Sequence, residues 1–419
     1  MYFSQMQTVL FIGLVWPEPG SSAAGRRIVQ LAFLFRDAGY QVVFASAASR
    51  SAYSFPLTQS GIQEQPILLN DSSFDEMIRT IQPAIVVFDR FMAEEQYGWR
   101  VRECCPSALT ILDTEDLHLV RRARQDAIKR CSEPNYYTEI AKRELAAILR
   151  TDISLIISRV EMELLQDVFA IRPEILYYLP FLEDEIHGEE DQTWRTFEER
   201  QHFLFIGNFM HEPNWHTVQI LKSKVWPQLK KRVPEAELHI FGAYASDKVH
   251  QLHQPKDRFL VRGRADDARK TMENYRVLLA PIQFGAGIKG KFVDAMQSGT
   301  PSATTSVGAE SMMANGLWNG VVEDDLELFI EEAAKLYQTQ RIWQDAQLKG
   351  TQILEENFSK LALGPPFLTR IQSLSTSLPL HRQKNFLGQI LQTQALNSTK
   401  YMSLWIEEKQ RQCPDKGPK

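Results

Sequence analysis

Short, wholly apolar runs recur along this chain, each followed by a loop and then an amphipathic stretch, and this alternation restricts the folds open to it. TVLFIGLV (8–15), QVVFAS (41–46), AIVVF (84–88), ALTIL (108–112), ISLII (153–157) and ILYY (175–178) form a first series. FLFI (203–206), LHIF (238–241), FLVRGR (259–264), VLLA (277–280) and GVV (320–322) form a second. Most lack the in–out alternation of a half-exposed strand, so they predict strands covered on both faces, as in parallel sheets. Residues 66–69 are a further strand candidate. Strand–helix–strand units in series require helices on both faces of each sheet, the α/β layer architecture. With 419 residues there is room for two such sheets with substantial cores. An acidic, aperiodic stretch, PFLEDEIHGEEDQTWRTFEER (180–200), separates them. The expected organisation is a Rossmann-like domain over 1–182, a linker over 183–200, a second Rossmann-like domain over 201–362, and a tail over 363–419 with two helical runs.

The most chemically specific segment is VLLAPIQFGAGIKGKFVDAMQSGT, residues 277–300. It reads as a buried strand, a stop at Pro281, a glycine loop and a helix from about Lys291 to Gly299. The first N–H groups of a helix have no internal acceptor, which makes such a terminus an anion site. Gly285, Gly287 and Gly290 let the backbone approach a ligand closely. Lys289 and Lys291 stand where the helix dipole disfavours a cation by roughly 0.3–1 kcal/mol each. A phosphate between them and the dipole removes that conflict; a loop with two solvated lysines is the plain alternative. Asp294, one turn in, suits the dipole and can accept from sugar hydroxyls.

In the first half, polar residues cluster just past predicted strand ends, where open α/β sheets bind ligands. After the first strand come Gly20, Ser21, Arg26 and Arg27, in a loop expected over 17–27. Arg90 and Glu94 follow the strand at 84–88, as acceptor-site candidates or as an ion-paired helix start. The strand at 108–112 delivers Asp113, Asp116 and His118; this imidazole can act as acid or base beside a carboxylate, or simply cap a helix with Asp116. No second His or Cys stands at zinc-ligand spacing nearby. Residues 121–150 read as a solvated, mixed-charge helical face without chemistry. The loop at 17–27 is not GxGxxG, which argues against a nicotinamide dinucleotide.

GAGIKGK (285–291) preceded by LLAP and followed by helix and GTP, together with GNFMHEPN (207–214) and the later PEAELHIFG (234–242), resembles the nucleotide-sugar-binding half of GT-B glycosyltransferases. The likeness is nearest to the large retaining family 4, covering 200–360 well and the first domain more loosely. It implies the GT-B fold, two Rossmann-like α/β/α domains facing a cleft. It also implies transfer of a sugar from a nucleotide-sugar co-substrate to a glycan or lipid-linked acceptor, with retention and without a metal or other cofactor. In many members two acids stand in the glycine-loop segment. Asp294 matches the second, whereas Ala286 occupies the place of the first, as in the GaGxKxK version some members carry. Asn208 replaces a phosphate-binding arginine, with no lysine soon after, so the cationic role falls to Lys289 and Lys291. By the same pattern Gly207, Asn208, Gly263, Gly285, Gly287, Asp294, Gly308 and Glu310 line the donor site, with His211 a further polar contact. Gly20, Ser21, Arg26, Arg90 and Asp116 face the acceptor, and His118 is the leading catalytic candidate with the two lysines. The replaced residues keep a non-catalytic GT-B subunit open as an alternative, and an epimerase on the same fold is another.

A net charge of −5 leaves no electrostatic footprint for nucleic acid. Cys104, Cys105, Cys131 and Cys413 have neither disulfide nor zinc spacing, pointing to a reducing compartment. The N-terminal apolar run is too short to span a bilayer. A soluble cytoplasmic protein is expected, with peripheral membrane attachment the second option.

Overall fold

A computed structural model describes residues 7–185 and 194–412, with 394–397 described by backbone alone. Residues 1–6, residues 186–193 in the expected linker, and 413–419 with Cys413 lie outside the described residues.

Seven strands form the first sheet: β1 (Thr8–Gly13), β2 (Gln41–Ser46), β3 (Gln63–Pro66), β4 (Ile85–Asp89), β5 (Leu109–Asp113), β6 (Ile153–Ile156) and β7 (Leu176–Tyr178). Their spatial order is β3-β2-β1-β4-β5-β6-β7, every neighbouring pair parallel. The second sheet contains β8 (Gln201–Ile206), β9 (Leu238–Phe241), β10 (Phe259–Gly263), β11 (Tyr275–Ala280), β12 (Ser302–Thr304) and β13 (Gly320–Val322). It runs β10-β9-β8-β11-β12-β13, again parallel throughout. Each is a doubly wound sheet, and the pair is the GT-B architecture.

Burial on both sides of these strands explains their unbroken apolar sequences. Leu10 and Ile12 pack with Val43, Val86 and Phe88 on one face of the first sheet. Val9 and Phe11, pointing the other way, pack with Val42, Phe44 and Val87. That second face is closed by the end of the chain: Phe367, Ile371, Leu374 and Leu378 join its core, and Phe367 meets Phe35 edge-on with centroids 5.9 Å apart. Arg382 then binds the Asp152 carboxylate at 2.7 and 2.8 Å. Three helices, Lys360–Thr376, Leu378–Lys384 and Phe386–Gln412, make up this segment, against the two expected, and Pro365 and Pro366 lie inside the first.

Several elements depart from their expected limits. β3 spans QEQP rather than 66–69; it is an edge strand, paired with β2 alone, so its polar sequence carries no hydrophobic signal. The first helix, α1 (Ala23–Asp37), starts well before the amphipathic run, because the Ser22 hydroxyl accepts from the Gly25 N–H at 3.0 Å and caps it. Arg26 and Arg27 therefore sit on a helix, not in a loop. Helix α2 spans Ser73–Ile81, and α3 (Arg90–Cys104) begins directly at Arg90. The helix before β11 is short, Ala268–Met272, since Tyr275 already pairs with Gln201 as the start of β11.

One buried ion pair ties the first sheet together. Arg27 and Asp113 are 1% and 0% exposed, with Arg27 Nε donating to both carboxylate oxygens at 2.9 and 3.1 Å. Arg27 Nη1 also donates to the Pro180 carbonyl at 2.8 Å, fixing the chain where it leaves β7. Removing one partner leaves the other charged and unmatched in the core. Arg27→Ala is expected to lower the free energy of unfolding by about 3–5 kcal/mol. Urea denaturation checks this; unchanged stability would show that the pair is not a structural tie.

Candidate active site

Each sheet reverses its strand order once, between β1 and β4 and between β8 and β11. In doubly wound sheets the crevice outside the strand C-termini at such a reversal is where ligands bind. Here the two crevices face each other and form one cleft of about 450 Å³. Gly20, Ser21, Arg26, Arg90, Asp116 and His118 reach it from the first domain. Gly207, Asn208, Gly285, Lys289, Lys291 and Asp294 reach it from the second.

The glycine loop after β11 leads into the helix Gly290–Gln297, whose first turn holds no acidic residue. Lys289 precedes that helix; its ammonium donates to the Gly287 carbonyl at 3.0 Å and lies 3.8 Å from Glu310 Oε2. Lys291 Nζ donates to Asn214 Oδ1 at 2.6 Å and sits 4.3 Å from the centroid of the Phe205 ring. Among the described residues it has no carboxylate in ion-pair reach, and burial pulls its amine down to about 7.

Asp294 is differently engaged from the free acceptor expected. Arg26 binds its Oδ1, Arg269 Nε donates to the same oxygen at 2.8 Å, and Arg269 also reaches Glu183 at 2.7 Å. Oδ2 carries no hydrogen bond among the described residues. Arg26, expected on the acceptor side, thus crosses the cleft and also donates to the Gly290 carbonyl at 3.3 Å.

The floor on the first domain follows β4 and β5, which end side by side at Asp89 and Asp113. Arg90 leaves β4 with φ +67 and is held by Asp89 at 2.9 and 3.0 Å, so it is both ion-paired and cleft-facing. Glu115 leaves β5 with φ +60. Such left-handed conformations at non-glycine residues cost about 1–3 kcal/mol and concentrate at functional sites. His118 opens helix α4 (His118–Arg130), with Nε2 3.8 Å from Asp116 Oδ1. Burial depresses the His118 imidazole to about 4 despite the neighbouring Asp116, so the ring is neutral near pH 7. Burial opposes charge on Asp116 too, but Arg121, His118 and His211 bring its carboxyl down to about 2. Arg121 binds it directly. The floor therefore offers one firm carboxylate beside a neutral imidazole.

Four candidates stand outside the cleft lining. Gly308 is packed so that a Cβ would lie 1.8 Å from Thr304 Oγ1. Glu310 is turned away by Arg124, which grips both its oxygens at 2.7 Å. Gly263 takes φ +76 at the end of β10. Gly287 meets Asp116, whose Cβ would be 2.8 Å from an added Cβ, so it serves close approach between the domains. Glu94 also lies elsewhere, buried between Arg102 and Arg150.

Other contributors were hidden in stretches without a distinctive pattern. Arg124, on the face read as solvated, donates to the Gly285 carbonyl at 3.0 Å as well as to Glu310. Glu144 in α5 (Glu139–Arg150) accepts from the N–H groups of His118 and Leu119 at 3.0 and 2.8 Å, holding the start of α4. Glu161 in α6 (Arg159–Glu163) accepts from the Leu117 and Gly287 N–H groups at 3.0 and 2.8 Å. Only its place three residues after the capping Ser158 hinted at a positioned acid. Among the described residues no group of three or more His, Cys, Asp or Glu side chains is placed to hold a metal, and no helix is long and apolar enough to cross a membrane.

Two facing α/β domains with a cationic glycine loop at the cleft make up the GT-B fold, the architecture of many glycosyltransferases. More particularly, residues 200–339 match the family described as glycosyl transferases group 1. The fold is shared with sucrose-phosphate synthase of Thermosynechococcus elongatus (14% identity, 88% of this chain and 100% of that one, TM-score 0.66). It is shared likewise with HepE of Anabaena, solved with UDP and glucose (14% identity, 88% and 100%, TM-score 0.63). TarM, from S. aureus, also has it (10% identity, 88% and 99%, TM-score 0.66). No curated protein matches the chain.

Lys291 gives a pH signature that needs no ligand. Its native amine near 7 lies below the ordinary lysine value of about 10.4, so between these the unfolded chain binds more protons and stability rises with pH. Lys291→Met should stabilise the protein by roughly 1–3 kcal/mol at pH 6, the gain shrinking towards pH 10. Urea denaturation at pH 6, 8 and 10 checks both sign and trend.

Proposed function

We propose that the cleft transfers a sugar from a uridine diphosphate sugar to a hydroxyl of a glycan or lipid-linked acceptor, with retention and without a divalent metal. The observation that carries this is Lys291, at an open helix N-terminus with no acid in ion-pair reach among the described residues, beside Lys289. Together with the helix N–H groups they suit a diphosphate whose charge grows as it departs. The uridine assignment draws on the GT-B structures solved with UDP, HepE and TarM among them.

On this reading the bond from the anomeric carbon to the phosphate oxygen breaks, its electron pair staying on the diphosphate against Lys289 and Lys291. The acceptor oxygen takes the vacated position and gives up its proton to the departing phosphate. Asp116 and the neutral His118 face the sugar from the opposite wall and orient its hydroxyls. Asp294 keeps Oδ2 for a ribose hydroxyl while Arg26 and Arg269 hold Oδ1. Gly207 and Asn208 border the diphosphate at the β8 end, and Gly20 and Ser21 border the acceptor.

Calorimetry with UDP, GDP, dTDP and ADP, each with and without EDTA, tests the donor assignment. UDP should bind unaffected by EDTA, and Lys291→Ala should weaken it by about 1.5–3 kcal/mol, some 10- to 150-fold. Binding that needs a metal, or that ignores this substitution, contradicts the proposal. His118→Ala should lower turnover of a UDP-sugar more than it lowers UDP affinity; equal losses would place His118 in nucleotide binding instead.

A further inference from the structure

Glu115 is an acid of the cleft wall for which the reaction as described has no use. The residue is 7% exposed, its Oε1 is fully buried, and neither oxygen takes part in a hydrogen bond or ion pair among the described residues. The cations close by are already taken: Arg27 by Asp113, Arg90 by Asp89. A buried polar group left without a partner is destabilising, and native proteins rarely keep one that nothing fills. Its backbone, at φ +60, is held in a conformation that a side chain disfavours, immediately beyond the strand end that delivers Asp116 and His118.

We propose that the Glu115 carboxyl group hydrogen-bonds a sugar hydroxyl in the cleft and helps decide which sugar fits. This rests on the sugar-transfer reading. The neighbourhood selects the ligand chemistry. Asp89, Asp113 and Asp116 on the same wall are each held by an arginine, Arg90, Arg27 and Arg121, so these cations are engaged, a phosphate belongs at the lysines opposite and an uncharged oxygen belongs here. Burial, reinforced by the Asp113 charge, pushes the Glu115 carboxyl well above the ordinary range and favours the protonated form, which presents one donor and one acceptor. A hydroxyl is the complement of that pair. The hydroxyl comes either from the transferred sugar or from a sugar acceptor, and the experiment separates them.

Glu115→Leu keeps the side chain's bulk and removes its polarity, whereas Glu115→Gln keeps one donor and one acceptor. Binding of UDP, UDP-glucose and UDP-N-acetylglucosamine is measured by calorimetry. KM and kcat are measured with p-nitrophenyl glycosides as acceptor probes, read as UDP release. Thermal unfolding of each variant reports folding, and Glu115→Leu is expected to melt no lower than the wild type. A tenfold or greater loss of UDP-sugar affinity in Glu115→Leu, with UDP affinity within twofold and recovery in Glu115→Gln, assigns the contact to the transferred sugar. Unchanged UDP-sugar affinity with a tenfold rise in KM for the glycoside, again recovered by Gln, assigns it to the acceptor. Unchanged values throughout, or an equal loss for UDP and UDP-sugars, overturn the role of Glu115. If the wild type binds none of the three nucleotides, the transfer reading falls and this inference with it.

Discussion

The glycine loop between β11 and its helix packs Ile282 and Ile288 into the second domain's core, but the cleft depends on the first domain holding the loop's polar backbone in place. Glu161 does so most directly, accepting the Gly287 N–H and the Leu117 N–H on one oxygen. One carboxyl group thereby locks the anion loop to the segment that carries Asp116 and His118. Arg124 fixes the loop's other end through the Gly285 carbonyl, and Arg26 reaches the Gly290 carbonyl at the helix start. Gly287 allows the approach: with φ +60 and Asp116 against its α-carbon, no side chain fits there. The positions of Lys289 and Lys291 are therefore properties of the closed pair of domains rather than of the loop.

The cleft's electrostatics are sorted by wall. Lysines at a helix N-terminus stand on the second domain, and on the first the acids at the strand ends are each paired with an arginine. A ligand with a charged end and a hydroxyl-rich end has one favourable orientation in such a field, before any specific contact forms. Burial sharpens the contrast by keeping His118 neutral while Arg121 keeps Asp116 charged. The ion pairs crossing the cleft, Arg26 with Asp294 and Arg124 with Glu310, draw the walls together without neutralising Lys291.

Strands buried on both faces were legible because apolar residues fill most of their positions, so β1, β4, β5, β6, β8, β9 and β11 all lie within a few residues of their apolar runs. Where one side of an element meets solvent the signal failed: β3 is polar because it is an edge, and the first turn of α1 carries Arg26 beside the cleft. The glycine loop and its lysines were legible for a different reason, since glycines and misplaced charges at a helix start have few local explanations. Arg124 and Glu161 gave no such sign. Both sit on ordinary charged helices, and their partners in the second domain lie more than a hundred residues away in sequence.

The sequence by itself determined the two parallel sheets, their helices and the anion loop, because strand burial, helix periodicity and glycine placement act over a few residues. It also brought Asp116 and His118 to a strand end, where doubly wound sheets bind ligands. Only the tertiary structure decided how the two halves meet. That meeting gave Asp294 to Arg26 and Arg269, turned Glu310 toward Arg124, placed Glu161 under the loop and left Glu115 buried without a partner. These are pairings of charge and burial between distant segments, and a charged residue in sequence shows its sign but neither its depth nor its partner.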